Sequence, residues 1–244
     1  ECGIKVYNTI GSALIGNNAS KNLENGIEFS KGNSRDNEVR ENYAAYNHKN
    51  GILLISLTYS NITGNNASNN GINASIGGRG IVLIESNNNS IIKNNIKYNR
   101  ISGSSIERSS NNSITGNIAE GNLGGGIVLL DSMNNGLEDN IAENNSGGLA
   151  VQNSLHTNIS SNSANNNTIG LYINILSCNQ IKGNIISNNR VGVALNLSGN
   201  ISECDNISGD NEISNNKKDI LINANMTTAE YGLWEEIVLA EHNK

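Results

Sequence analysis

The chain of 244 residues has no proline, three cysteines, two methionines, three histidines and nine side chains of the Phe, Tyr or Trp type. No strand interior therefore loses a ladder N–H to a proline ring. Soft metal sites need several converging His, Cys or Met. Here His48, His156 and His242 fall at unrelated repeat positions, and Cys2, Cys178 and Cys204 show no C-x-x-C spacing. Only 16 residues are Lys or Arg, scattered singly, and the net charge is −6. No basic stripe exists to neutralise phosphates, so nucleic acid is not an expected partner. No apolar run approaches the roughly 18 residues that cross a bilayer, and no charged-then-apolar leader opens the chain. A soluble protein is expected, and because Glu1 is not an initiator residue, processing or trimming is expected too.

What is abundant is asparagine, 51 residues, together with 26 glycines. Such bias ordinarily marks a low-complexity tract, but the Ile, Leu and Val residues are too regularly spaced for that. A motif of Gly followed by apolar residues recurs at Gly3, Gly26, Gly51, Gly80, Gly126, Gly148, Gly170 and Gly192, with a weaker copy at Gly103. From Gly80 onward these positions are 22 or 23 residues apart; the interval from Gly51 to Gly80 is longer and carries an insertion near residues 71–79. A second apolar anchor precedes an Asn by three residues in Leu14/Asn17, Ile62/Asn65, Ile91/Asn94, Ile114/Asn117, Leu137/Asn140, Ile159/Asn162 and Ile181/Asn184. Another Asn follows five residues later, at Asn22, Asn70, Asn99, Asn122, Asn145, Asn167 and Asn189.

Short β-branched segments punctuated by Gly and Asn predict three strands per turn of a solenoid, since helical repeats need longer periods and Ala-, Leu- and Glu-rich segments. The prediction is all-β: a single-domain right-handed parallel β-helix of about ten coils over 1–225, with a short helical cap or docking tail over 226–244. Copies one repeat apart would pair in parallel, about 4.8 Å apart. Ile62, Ile91, Ile114, Leu137, Ile159 and Ile181 would form one inward ladder, and Ala19, Ala67, Ala119, Ala142 and Ala164 another. Asn at the turns is expected for its tolerance of left-handed backbone and for amide bonds to its copies above and below. Gly77-Gly78-Arg79-Gly80 and Gly124-Gly125-Gly126 read as tight turns; they lack the residues of a calcium or phosphate loop.

The phrases Asn61-Ile62-Thr63-Gly64-Asn65 and Asn112-Ser113-Ile114-Thr115-Gly116-Asn117 resemble the parallel β-helix repeats of NosD-like proteins and of carbohydrate-binding and sugar-hydrolase domains, over roughly residues 3–224. The Asn-rich copies with dense glycosylation sequons also resemble secreted surface or sheath proteins of methanogenic archaea. The resemblance implies the fold; the family it points to hosts lyases, hydrolases, adhesins, tail spikes, metal-maturation factors and surface-layer components, so it does not select among them.

Carbohydrate chemistry on this fold would need clustered acids, or an acid with Arg, Lys or His. Asp131, Glu138 and Asp139 share one coil with Glu143 shortly after, and Glu120 aligns with Glu143 one coil earlier. Solvated surface acids are the preferred reading, and no catalytic, cofactor-binding or metal-binding residue is assigned. Tyr43, Tyr46, Tyr59 and Tyr98 form no evident stacking platform.

Cys178 and Cys204 fall in adjacent coils and are expected to pair, which leaves Cys2 for a bond to another subunit. Glycosylation sequons begin at Asn18, Asn61, Asn66, Asn73, Asn88, Asn111, Asn144, Asn158, Asn166, Asn196, Asn200, Asn206 and Asn225. Thr227-Thr228-Ala229-Glu230 reads as a capping box that opens the C-terminal helix, while the first coil begins without a cap, an edge that invites another chain. The expected function is a secreted, N-glycosylated, self-assembling structural protein of the cell envelope. Its partners would be copies of itself and cell-surface glycans, and no cofactor is expected. The alternatives are a carbohydrate-binding or polysaccharide-degrading β-helix and a NosD-like metal-maturation accessory protein.

Overall fold

A computed structural model describes residues 1–30, 32–72, 77–174, 178–196 and 206–222. The chain winds into a right-handed parallel β-solenoid with three sheets along its length. The first sheet has ten strands, from Ile4–Val6 to Lys218–Ile222; the second has nine, from Ala13–Ile15 to Asn206–Ile207; the third has six, from Asn95–Lys97 to Glu212–Ser214. Every strand pairs in parallel with its copy one turn away, giving about nine turns and no helix among the described residues. The expected cap over 226–244 lies outside the described residues.

Register follows the pattern of apolar residues, because a one-residue slip would turn every inward side chain to solvent. On the second sheet, Ile62, Ile91, Ile114, Leu137 and Ile159 stack in one column, each fully buried. On the third, Ile96, Ala119, Ala142, Ala164 and Ile186 do the same, while their neighbours Ile118 and Ile141 point outward. The first sheet contributes Ile27, Ile52 and Ile81 in one inward column and Phe29, Leu54, Leu83, Ile106 and Leu129 in the next. These columns join into a single core. A second apolar cluster, Val128, Ala150, Tyr172, Ala194 and Leu221 with Leu130, Ile169 and Val191, occupies the outward side of the first sheet.

The turns work differently from the sequence expectation. One coil has left-handed residues at Glu85, Asn88, Lys93 and Tyr98, with φ of 50°, 58°, 52° and 56°, and the residue after each, Ser86, Asn89, Asn94 and Asn99, is buried. Left-handed geometry thus belongs to the residue before each ladder position. It turns the chain and aims the next side chain inward, where only a group that both donates and accepts can bridge the coils. Asn94 shows the unit. Its Nδ2 donates to Asn117 Oδ1 at 2.9 Å and to the Ile62 carbonyl at 2.9 Å, and its backbone N donates to Asn117 Oδ1 at 3.0 Å. Asn65 repeats this toward Asn94, and Asn117 toward Asn140. A third Asn column, including Asn89 and Asn112, and a Ser column, Ser86, Ser109, Ser132 and Ser154, complete four ladders per coil.

The repeated glycines are likewise not turn residues. Gly51 has ordinary backbone geometry, but a Cβ there would lie 2.7 Å from the Gly80 carbonyl oxygen and 2.8 Å from Asn70 Nδ2. Glycine is needed because backbone and ladder amide approach too closely for a side chain. Gly77 and Gly78 do take left-handed φ, whereas Gly125 and Gly126 begin the extended strand Gly125–Leu130.

Candidate functional site

The corner that follows the third side of the solenoid carries one left-handed residue per turn: Lys21, Tyr46, Asn69, Tyr98, Gly121, Asn144, Asn166, Asn188 and Asn215, with φ between 56° and 64°. Asn and Gly are at ease there, but a bulky aromatic is strained by about 1–2 kcal/mol. Tyr46 and Tyr98 nevertheless occupy this column two turns apart, with 40 % and 56 % of their surface exposed. The Tyr98 ring packs against the next turn, where a Cβ on Gly121 would fall 2.6 Å from its Cε1 atom. Its hydroxyl donates to Glu120 Oε1 at 3.3 Å, and Lys97 Nζ holds Glu120 Oε2 at 2.7 Å. The Lys97 hydrogen bond, against a smaller effect of burial, keeps the Glu120 carboxyl below the usual range. Burial, followed by neighbouring Tyr46, raises the Tyr43 phenol.

Between the two rings opens a cleft of about 510 Å³, with Asn69, Ile72, Arg100 and Leu123 completing its walls. Gly71 and Ile72, at the start of the insertion, form part of one wall. Gly71 and Gly78, with φ of 94° and 104°, close against each other and against the stem of Arg100, since a Cβ on Gly71 would meet Gly78 Cα at 2.6 Å and Arg100 Cβ at 2.7 Å. The cleft therefore forms where the chain departs from its own repeat, by two tyrosines in a column that is otherwise Asn or Gly apart from Lys21, and by added residues. Departures from local consistency of this kind mark functional positions. A second cavity of about 530 Å³, with Ile10, Arg35, Ser56, Thr58 and Glu85 in its lining, has no aromatic among the described residues.

The acids singled out in the sequence scatter. Asp131 is on the corner after the first sheet, where it accepts from Asn153 Nδ2 at 3.1 Å; Glu138 is in the second sheet; Asp139 is on the corner that follows it. Glu120 and Glu143 do stand in register on adjacent turns, as aligned, but Lys97 occupies the same column one turn before Glu120. Tyr43 and Tyr59 lie off the cleft column, Tyr59 at the corner between the first two sheets with φ of 51°. Sequence reading missed the pairing of Tyr46 with Tyr98. The signal was present, because each immediately precedes a ladder asparagine, Asn47 and Asn99.

Among the sequon residues, Asn18, Asn61, Asn88, Asn111, Asn144 and Asn166 are exposed, Asn66 and Asn158 are half-buried, and Asn196 is buried at 6 % exposure. The buried site leaves a glycan no room. Asn73, Asn200 and Asn225, and the side chain of Asn206, lie outside the described residues. Cys2 is a free thiol and donates to Glu28 Oε2 at 3.1 Å; burial, then the Glu28 hydrogen bond, raises its pKa. That keeps the nucleophilic thiolate scarce, which works against the expected intermolecular bond. Cys178, by contrast, is not a free thiol, and its expected partner Cys204 lies outside the described residues.

The family model described as periplasmic copper-binding protein (NosD) matches residues 1–118 and 72–232. The chain belongs to the NosD family. No curated protein matches it. Solved structures similar to it include the periplasmic alginate epimerase AlgG, 21 % identical with a TM-score of 0.57, covering 90 % of this chain and 47 % of that one. The Dettilon tailspike protein has 16 % identity and a TM-score of 0.71 over 86 % of this chain and 47 % of that one. The A-module of the Azotobacter vinelandii mannuronan C-5 epimerase AlgE6 has 17 % identity and a TM-score of 0.66 over 87 % and 58 %. The chain thus spans about half the length of these proteins, and at such identities the likeness is one of fold. The family description raises the question of copper. Among the described residues no group of three or more His, Cys, Asp or Glu could hold a metal ion. His156 stands on an exposed corner, His48 follows ladder residue Asn47, and His242 lies outside the described residues. These residues do not fit a copper site, and no chemistry is routed through one. No helix among the described residues is long and apolar enough to cross a membrane.

Proposed function

We propose that this NosD-family protein is a carbohydrate-binding β-helix that works outside the cytoplasm and holds glycan in the cleft between Tyr46 and Tyr98. The observation that carries this reading is the strain at these two tyrosines. Six of the nine residues in this column are Asn or Gly, and the two tyrosines that replace them, each strained by about 1–2 kcal/mol, both line the same cleft. Aromatic rings with a few placed polar groups suit a sugar, whose C–H face is apolar and whose edge is polar. The alginate and mannuronan epimerases and the tailspike protein of the same fold support the carbohydrate reading ahead of the envelope polymer expected from sequence. The word periplasmic in the names of the family and of AlgG supports the location. Among the described residues no carboxylate or histidine lines the cleft, which favours retention of the glycan over its turnover.

The test is affinity electrophoresis of the full chain through gels that contain neutral or acidic polysaccharides. Retardation is expected in at least one of them, and Tyr98→Asn should abolish it. Asn occupies the same column with the same backbone at Asn69 and Asn144, so the variant should melt no lower than the wild type. Unretarded wild-type protein in every gel would overturn the proposal.

A further inference from the structure

The cleft runs along the solenoid rather than around it, because its lining comes from consecutive turns: Tyr46, then Asn69, then Tyr98 and Arg100, then Leu123. Turns of parallel strands lie about 4.8 Å apart, which sets the two tyrosines about 9.6 Å apart along the axis. In a ribbon-like linear glycan, alternate sugars present the same face, and they recur at nearly this distance. Asn69 stands midway in the same column, and its carboxamide makes no hydrogen bond within the described residues. It is placed to meet the hydroxyls of the intervening sugar.

The charge around the cleft is one-sided. Lys97 is neutralised by Glu120, and Lys49 is paired with Glu24 at 3.1 Å. Arg100 lines the cleft with its stem fixed against Gly71 and Gly78, has no acid partner among the described residues, and no acid joins it in the lining. A guanidinium held beside a sugar-sized cleft is a receptor for a carboxylate, to which it donates a planar pair of hydrogen bonds.

Resting on the carbohydrate reading above, we infer that the ligand is an extended, linear, acidic polysaccharide that lies parallel to the solenoid axis. Tyr46 and Tyr98 stack on sugars two apart, and Arg100 pairs with a uronate carboxylate. A trisaccharide is the shortest unit that reaches both rings.

The test is titration calorimetry of the full chain with size-defined β-linked oligouronates and with uncharged β-linked mannan oligosaccharides, from disaccharide to hexasaccharide. Affinity for uronates should rise sharply between the disaccharide and the trisaccharide. Arg100→Gln should weaken uronate binding about ten- to a hundredfold, the loss expected for hydrogen bonds to a charged group, and weaken mannan binding by much less, because Gln keeps most of the stem that lines the cleft. Tyr46→Asn should remove the gain from the third sugar, with folding of both variants checked by circular dichroism. Equal affinity for charged and uncharged chains would overturn the acidic assignment, and a gain absent at the third sugar would overturn the axial one. Either result leaves the carbohydrate reading standing; failure to bind either series would overturn that reading as well.

Discussion

Removal of one carboxamide from the middle of an asparagine ladder tests what holds the coils together. Asn117 is fully buried; its Nδ2 donates to Asn140 Oδ1 at 3.0 Å, to the Ile91 carbonyl at 2.8 Å and to the Thr115 carbonyl at 3.3 Å. Its Oδ1 accepts from the backbone N of Asn94 at 3.0 Å and from Asn94 Nδ2 at 2.9 Å. In Asn117→Ala, Asn140 Oδ1 keeps the backbone N–H of residue 117, and Asn94 Nδ2 keeps the Ile62 carbonyl. The Asn94 N–H keeps nothing. A stranded buried donor costs about 1–3 kcal/mol, the donor lost to the Ile91 carbonyl about 1 kcal/mol, and the void about 1 kcal/mol more. The expected loss is about 3–5 kcal/mol, read as a lowered urea midpoint by far-UV circular dichroism with Glu138→Ala, an exposed site on the second sheet, as the reference. Asn117→Asp should cost still more at neutral pH, because a carboxylate accepts but cannot donate. Its pKa would rise above the unfolded value, so the variant should recover stability as pH falls. An Asn117→Ala midpoint within about 1 kcal/mol of the reference would refute the ladder as a source of stability.

Three further expectations use other parts of the solenoid. Gly51→Ala forces a Cβ to within 2.7 Å of the Gly80 carbonyl oxygen and should lower the melting temperature sharply, whereas Gly16→Asn, at φ of 64° with open space around it, should be nearly neutral. Parallel thermal melts that showed equal losses would contradict the close-approach account of the glycine column. Burial acts to raise the Glu28 carboxyl, but hydrogen bonds from Ser30, Lys5, Cys2 and Asn25 outweigh it and bring the pKa to about 2, against 4.5 when unperturbed. This stabilisation is complete above pH 4.5 and is lost as pH falls toward 2, so Glu28→Gln should flatten the fall of the melting temperature in that window. Ile114→Asp places a carboxylate without a partner in the core column between Ile91 and Leu137 and should unfold several turns together; a small local change in hydrogen exchange would be the contrary result.

The sequence by itself determined the period, the parallel register and the inward columns, since the alternation of Ile114 with polar neighbours leaves only one face to bury and the spacing stacks it on Ile91 and Leu137. It also determined that the columns at Asn94 and Asn99 form ladders. The reason for them is not legible there: the sequence suggests left-handed backbone at the ladder asparagines themselves, whereas Lys93 and Tyr98 take it and Asn94 and Asn99 point inward. A periodic sequence reveals which positions recur but not which way each one points, because neighbours in a turn recur with the same period. The common column of Tyr46 and Tyr98, in coils of unequal length, is legible in the ladder asparagines that follow them, but only the tertiary structure decided that Gly71, Ile72 and Arg100 stand beside them. The separation of the two tyrosines along the chain reflects the insertion, while their separation in space reflects two turns of the sheet.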